Sequence, residues 1–128
     1  MITLAHARSV VDAAIAHAEG EGIRIAAVVL DAAGHFVTGA RMDGAYLSAM
    51  AIAERKAFTA ANFRTATAEM CERLPDKSYQ ALISQADPRL AFLPGGVPIV
   101  VNGSLAGALG ISGGSAAQDA AVCAAALA

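Results

Sequence analysis

Among the residues able to do chemistry in this 128-residue chain, Lys56 has the surroundings least suited to its charge. It stands in AERKAFTAANF (Ala53–Phe63), and its neighbours one helical turn away are Ile52, Ala53, Thr59 and Ala60, none of them a carboxylate. A lysine so placed either snorkels its ammonium to water or points into a pocket. In a pocket it would serve as a cation for an anionic ligand or as an amine for proton transfer. Asp31 and Arg41 stand at the ends of a hairpin pattern, as a candidate carboxylate partner and a candidate ligand cation. The stretch GALGISGGSAAQD (Gly107–Asp119) reads as a strand ending at Ser112, a Gly113-Gly114 turn, and a Ser115-x-x-Gln118 capping box that opens a helix. A helix N-terminus offers unpaired N–H groups to an anion. Asp119, in the first turn, complements the helix dipole and argues against an anion directly over it.

No phosphate-binding loop, dinucleotide fingerprint, HExxH sequence or nucleophile elbow is present. His6, His17 and His35 are too scattered to define a metal site. His6 and His17 share a helix face but lie roughly 16 Å apart along it, so they cannot chelate one ion and are expected to face solvent. Cys71 and Cys123 have no metal-type spacing, and each falls in a helical pattern where a free buried thiol is ordinary. No metal is expected.

The net charge is −2 and charged residues are 16% of the chain, with no basic cluster, which excludes nucleic acid as a partner. No apolar run reaches the roughly 18 residues that span a bilayer. The N-terminal pattern carries His6, Arg8 and Asp12 and is no signal peptide, so a cytoplasmic protein without disulfides is expected. Hydrophobic residues make up 56%, much of it alanine, and so sparse a surface charge predicts faces covered by other copies, a homo-oligomer.

These residues need elements to hold them. Thr3 caps a first helix running to about Glu19, and Gly20 and Gly22 stop it. Ile23–Leu30 reads as a central strand, Asp31–Gly34 as a turn, and His35–Thr38 as the returning strand. A second helix follows over Ala45–Phe63, with Tyr46, Met50, Ala53, Ala57 and Ala60 as a narrow apolar stripe. Thr65 or Thr67 to Leu74 and Lys77–Gln85 read as short helices in a covering excursion. Leu90–Leu93 is a candidate edge strand, Val97–Val101 a strand, and Asn102-Gly103 a strong hairpin signal returning into Ser104–Ser112. A last helix spans Ser115–Leu127. Hairpins dominate, so one α+β domain over residues 1–128 is expected, an antiparallel sheet with helices on its faces.

Four stretches in this order, DAAGHFVTGARMDGA (Asp31–Ala45), AERKAFTAANF, PGGVP (Pro94–Pro98) and GALGISGGSAAQD, resemble the GlcG/HbpS family, the haem-degrading domain that also forms the C-terminal part of PduO-type proteins. The resemblance covers essentially the whole chain. It implies a profilin-like fold with a five-stranded antiparallel sheet, and assembly from dimers up to octamers. It also implies a pocket near a subunit interface lined by Arg41, Gly95, Gly96, Ser112, Gly113 and Asp119, and it introduces haem as a candidate cofactor that the residues alone do not name. Two functions follow. One is an oligomeric binding protein for haem or another planar, carboxylate-bearing small molecule, with Lys56 and Arg41 pairing its carboxylates. The other is a cofactor-independent lyase or isomerase, acting for example on an aromatic hydroxylamine or a hydroxy acid, with Lys56 as acid/base and Asp31 or Asp119 as its partner.

Overall fold

The computed structural model describes residues 1–128. Five helices and four strands follow in the order α1 (Leu4–Gly20), β1 (Ala26–Asp31), β2 (Phe36–Arg41), α2 (Ala49–Phe63), α3 (Thr67–Arg73), α4 (Lys77–Ala86), β3 (Gly96–Val101), β4 (Ser104–Ser112) and α5 (Ala116–Ala126). The strands form one antiparallel sheet in the order β2-β1-β4-β3. The α+β class is as the hairpin pattern predicts.

Alternation along β1 builds the two cores. Ala27 and Val29 face α1 and α5, where Ala7, Val11, Ala14, Leu109, Ile111 and Val122 close the first core. Ala26, Val28 and Leu30 face the alanine stripe of α2 at Ala49, Ala53, Ala57 and Ala60. With both faces covered, β1 reads in sequence as a continuous apolar run. Small residues let α2 sit very close to the sheet. A Cβ on Gly110 of β4 would overlap the Ala53 carbonyl oxygen and lie 2.8 Å from the Ala57 nitrogen, so only glycine admits the helix at this distance.

The terminal signals act as their chemistry dictates. Thr3 accepts from the His6 N–H to start α1. Ser115 and Gln118 form both arms of the capping box on α5. Asn102 and Gly103 both adopt positive φ, the pairing a two-residue hairpin between twisted strands requires.

Two expectations need correction. The sheet has four strands, not five, because Leu90–Leu93 is not a strand. The Ala91 N–H donates to the Thr59 hydroxyl (2.8 Å) rather than to a neighbouring strand, and Leu90 and Phe92 bury themselves against Met70. The segment is anchored by a side chain and by packing, which a pattern of apolar residues does not distinguish from a ladder. Helix α2 begins at Ala49, not Ala45. Gly44–Ser48 forms turns, leaving Tyr46 exposed (72%) instead of on the apolar stripe, next to an exposed Leu47 (92%).

Candidate functional site

The middle of α2 turns Lys56 inward, toward the end of β4 and the first turn of α5. Its Nζ lies 3.0 Å from Asp119 Oδ2 and donates to the Ile111 carbonyl at 2.8 Å. Both side chains are sealed, at 4% and 3% exposure. The other Asp119 oxygen accepts the Gly114 N–H at 2.9 Å. A buried charge is tolerable only with such pairing, because desolvation is expensive. The partner that Lys56 lacks one turn away on its own helix is therefore supplied by the glycine-turn motif at the far end of the chain.

The Pro94–Gly96 turn closes over this pair. Gly95 holds φ at +118°, and a Cβ there would sit 2.7 Å from the Ile111 oxygen and 3.0 Å from both Asp119 Cβ and Lys56 Nζ. The Gly95 carbonyl accepts the Ile111 N–H at 2.7 Å. Gly96 donates its N–H to the Thr67 hydroxyl at 2.9 Å, and its α-carbon lies against the Lys56 backbone carbonyl. Cys123, one turn beyond Asp119, is fully buried, and burial above all pushes its thiol up to about 12; Lys56 pulls slightly the other way and Asp119 reinforces the rise. It is a thiol, not a thiolate, at neutral pH.

Of the residues singled out in the sequence, the fold gathers Lys56, Gly95, Gly96, Ser112, Gly113 and Asp119 at one place. It does not bring Asp31 there. Asp31 pairs with Gly107 across the sheet whereas Ala27 pairs with Ile111, so Asp31 lies four residues along β1, about 14 Å away. Its Oδ1 accepts the Ala33 and His35 N–H groups, each at 2.9 Å, and shapes the hairpin turn. Arg41 shares a row of the sheet with Ala26 and Ser112, but on the far strand, β2. Its Nη1 donates to the Ala45 carbonyl at 2.8 Å. The start of α5 is closed by its own side chains, Ser115, Gln118 and Asp119, which removes much of the anion-binding capacity of a bare helix end.

The open space of the molecule lies elsewhere. Lys56 and Asp119 line none of the five main clefts. A cleft of about 580 Å³ is walled by Glu19, Ile23, Arg24, Arg41 and Asp43. A second, of about 550 Å³, runs from Arg24 past Tyr46 to Ser115 and Gln118. A third, of about 500 Å³ and mostly apolar, lies between α1, β3 and the end of α5, with His6, Val10, Ala13, Ile99 and Leu127 in its walls. Sequence reasoning missed Arg24 and His6 as cleft residues. His6 is exposed, as expected, but periodicity within one helix does not show what space that side adjoins. The sequence pattern puts Arg24 in the central strand Ile23–Leu30, whereas β1 begins at Ala26 and leaves Arg24 exposed ahead of it.

Comparison with known proteins matches residues 2–128 to the family described as haem degrading protein HbpS-like. An uncharacterized 15.0 kDa protein encoded in the dhaT-dhaS intergenic region of Citrobacter freundii is 34% identical over 119 residues, 92% of this chain and 84% of that protein. The crystal structure of Klebsiella pneumoniae protein ORFY superposes with a TM-score of 0.90 at 31% identity, covering 98% of this chain and 88% of that one. That of a PduOC–haem complex superposes with a TM-score of 0.89 at 29% identity, over 98% and 92%.

Proposed function

We propose a binding function on the premise that the chain belongs to the HbpS-like family: it is a cytoplasmic, self-assembling small-molecule-binding protein, and haem is the ligand that its residues fit. The observation carrying this reading is the His6 cleft. Of the three imidazoles, only His6 lines one of the five main clefts, and seven of that cleft's ten lining residues are hydrophobic. His17 lies 3.9 Å from Glu21, and the His35 side chain is 80% exposed beside Asp31.

A macrocycle needs an apolar wall on its face and a nitrogen donor toward its centre. Val10, Ala13, Ile99 and Leu127 furnish the wall, and His6 would hold the iron. When bound, haem supplies the redox-active iron; the chain supplies the ligand nitrogen and partial exclusion of water. The cleft is open on its outer side, so a second copy of the chain would cover the remaining face, in keeping with the sparse surface charge.

The lyase or isomerase reading requires Lys56 to meet a substrate. Its ammonium is committed to Asp119 and Ile111, and no main cleft reaches it. The binding reading has the better support.

Titration with haemin tests it. A saturable Soret shift at a fixed ratio of haemin to chain is expected, lost or displaced in His6→Ala and retained in His17→Ala and His35→Ala. Absence of any Soret change at stoichiometric protein would sink the reading.

A further inference from the structure

We propose that Arg24 and Arg41 form a site for the oxyanion of a small molecule, a carboxylate or phosphate group, at the end of the sheet bearing the Met42–Ala45 turn. The site is separate from the His6 cleft and does not depend on haem binding. Both guanidiniums clasp the same turn. Arg24 Nη1 donates to the Asp43 carbonyl at 3.2 Å, and Arg41 Nη1 donates to the Ala45 carbonyl at 2.8 Å. The turn itself is fixed, because Met42 N–H donates to Ile25 O (2.9 Å) and Ala45 N–H to Met42 O (3.1 Å).

Gly44, with φ +80°, lets Arg24 lie across it: a Cβ there would overlap the guanidinium and stand 3.2 Å from Arg24 Cδ. The backbone thus sets where the Arg24 side chain runs, before any ligand arrives. A guanidinium carries five N–H donors, so each retains most of its fork.

No carboxylate uses those donors. The five ion pairs of the molecule involve neither Arg24 nor Arg41. Both line the cleft of about 580 Å³, and Arg24 also lines the adjoining one of about 550 Å³, where Tyr46 stands exposed. Glu19 and Asp43 line the first cleft too, each beyond 4.0 Å from either guanidinium. They bring its formal charge to zero. Selection therefore rests on directional, bidentate hydrogen bonds to a planar or tetrahedral oxyanion rather than on a broad positive field. The chemistry that fits is a small acid whose oxyanion meets the two forks and whose ring or chain lies on Tyr46 and Ile23.

The test uses the full chain with phthalate and inorganic phosphate as probes, read by arginine Nε–Hε shifts in NMR and by calorimetry. Saturable shifts at both Arg24 and Arg41 are expected with at least one probe, and dimethyl phthalate, lacking the charge, gives none. Arg24→Gln and Arg41→Gln each weaken binding by roughly tenfold to a hundredfold. Arg24→Lys recovers only part of it, because a point charge does not reproduce the fork. His6→Ala leaves probe binding unchanged. Saturation by phthalate alone assigns the group to carboxylates, and by phosphate alone to phosphates. No saturable shift with either probe, or unchanged affinity in Arg24→Gln, overturns the site. Probe binding without a haemin Soret shift sinks the haem reading only, and the reverse result sinks the oxyanion site only.

Discussion

Two charged regions of the molecule use similar ingredients for opposite purposes. Around Lys56 a cation, a carboxylate and tight turns make a sealed knot: charge meets charge at 3.0 Å, the remaining polar atoms find backbone partners, and no cleft reaches the pair. Around Arg24 and Arg41 the cations meet only backbone carbonyls, their carboxylate neighbours stay beyond pairing distance, and two clefts open beside them. A buried charge is thus not by itself a sign of function. What distinguishes a binding cation is donor capacity left over and space in front of it. Disrupting the first region should affect stability and spare binding, and disrupting the second should do the reverse.

The largest effect is expected at the knot. Asp119→Ala strands the Lys56 ammonium in the interior and should destabilise the fold by about 3–5 kcal/mol, measured by urea denaturation. The double variant Lys56→Met/Asp119→Leu should recover most of that loss, since neither charge then remains buried. A loss in the double variant as large as in the single would show that the pair does more than neutralise itself. Next comes Gly95→Ala, which forces a Cβ against Ile111 O at positive φ. It should lower stability by about 1–3 kcal/mol.

Removing the Ser115 cap hydroxyl with Ser115→Ala should lower stability by about 1 kcal/mol, because Gln118 N–H loses its acceptor. Cys123 reports the same region without mutation. Its thiol ordinarily titrates at 9.0 and is pushed up to about 12 in the fold. The native state keeps this proton while the unfolded chain loses it, so stability is unaffected below pH 9 and declines from there toward pH 12. Alkylation by iodoacetamide at pH 8 should accordingly modify Cys71, which is partly exposed, well before Cys123. The smallest change in stability belongs to the other region: Arg24→Gln should stay within about 0.5 kcal/mol of the parent in denaturation, while weakening oxyanion binding. A large loss of stability there would erase the contrast between the two regions.

Sequence patterns revealed most of the frame. Strand β4, the Asn102-Gly103 hairpin and the capping box of α5 follow from local chemistry, because turn dihedrals and cap geometry are decided within a few residues. The oddness of Lys56 was equally legible, as a cation with no partner one turn away. Its partner was narrowed to Asp31 or Asp119 but not decided between them, because Asp119 lies 63 residues further along the chain, and helical spacing carries no information about contacts that only the tertiary fold creates. On its own helix Asp119 reads equally well as a complement to the dipole. Leu90–Leu93 shows the complementary failure. An apolar run satisfies its backbone through Thr59 and its side chains through Met70, and looks like a strand until those partners are in place. Arg24 and His6 stayed invisible as cleft residues because a cleft is made by at least two elements, and the pattern of one element does not show which space its side chains adjoin.

The contact at Gly110 has a further meaning for how such a chain tolerates change. Helix α2 rests backbone against backbone on β4, with Ala53 and Ala57 where any side chain at 110 would have to go. No single replacement at that position has room, and a compensating one would have to move a helix rather than trim a side chain. Sequence drift is therefore confined to the rims: the exposed Tyr46–Leu47 turn and the borders of the clefts admit new side chains without disturbing this contact. A saturation scan of the chain should show a narrow intolerant line along Gly110, Ala53 and Ala57, beside permissive cleft borders on which new ligand preferences are free to arise.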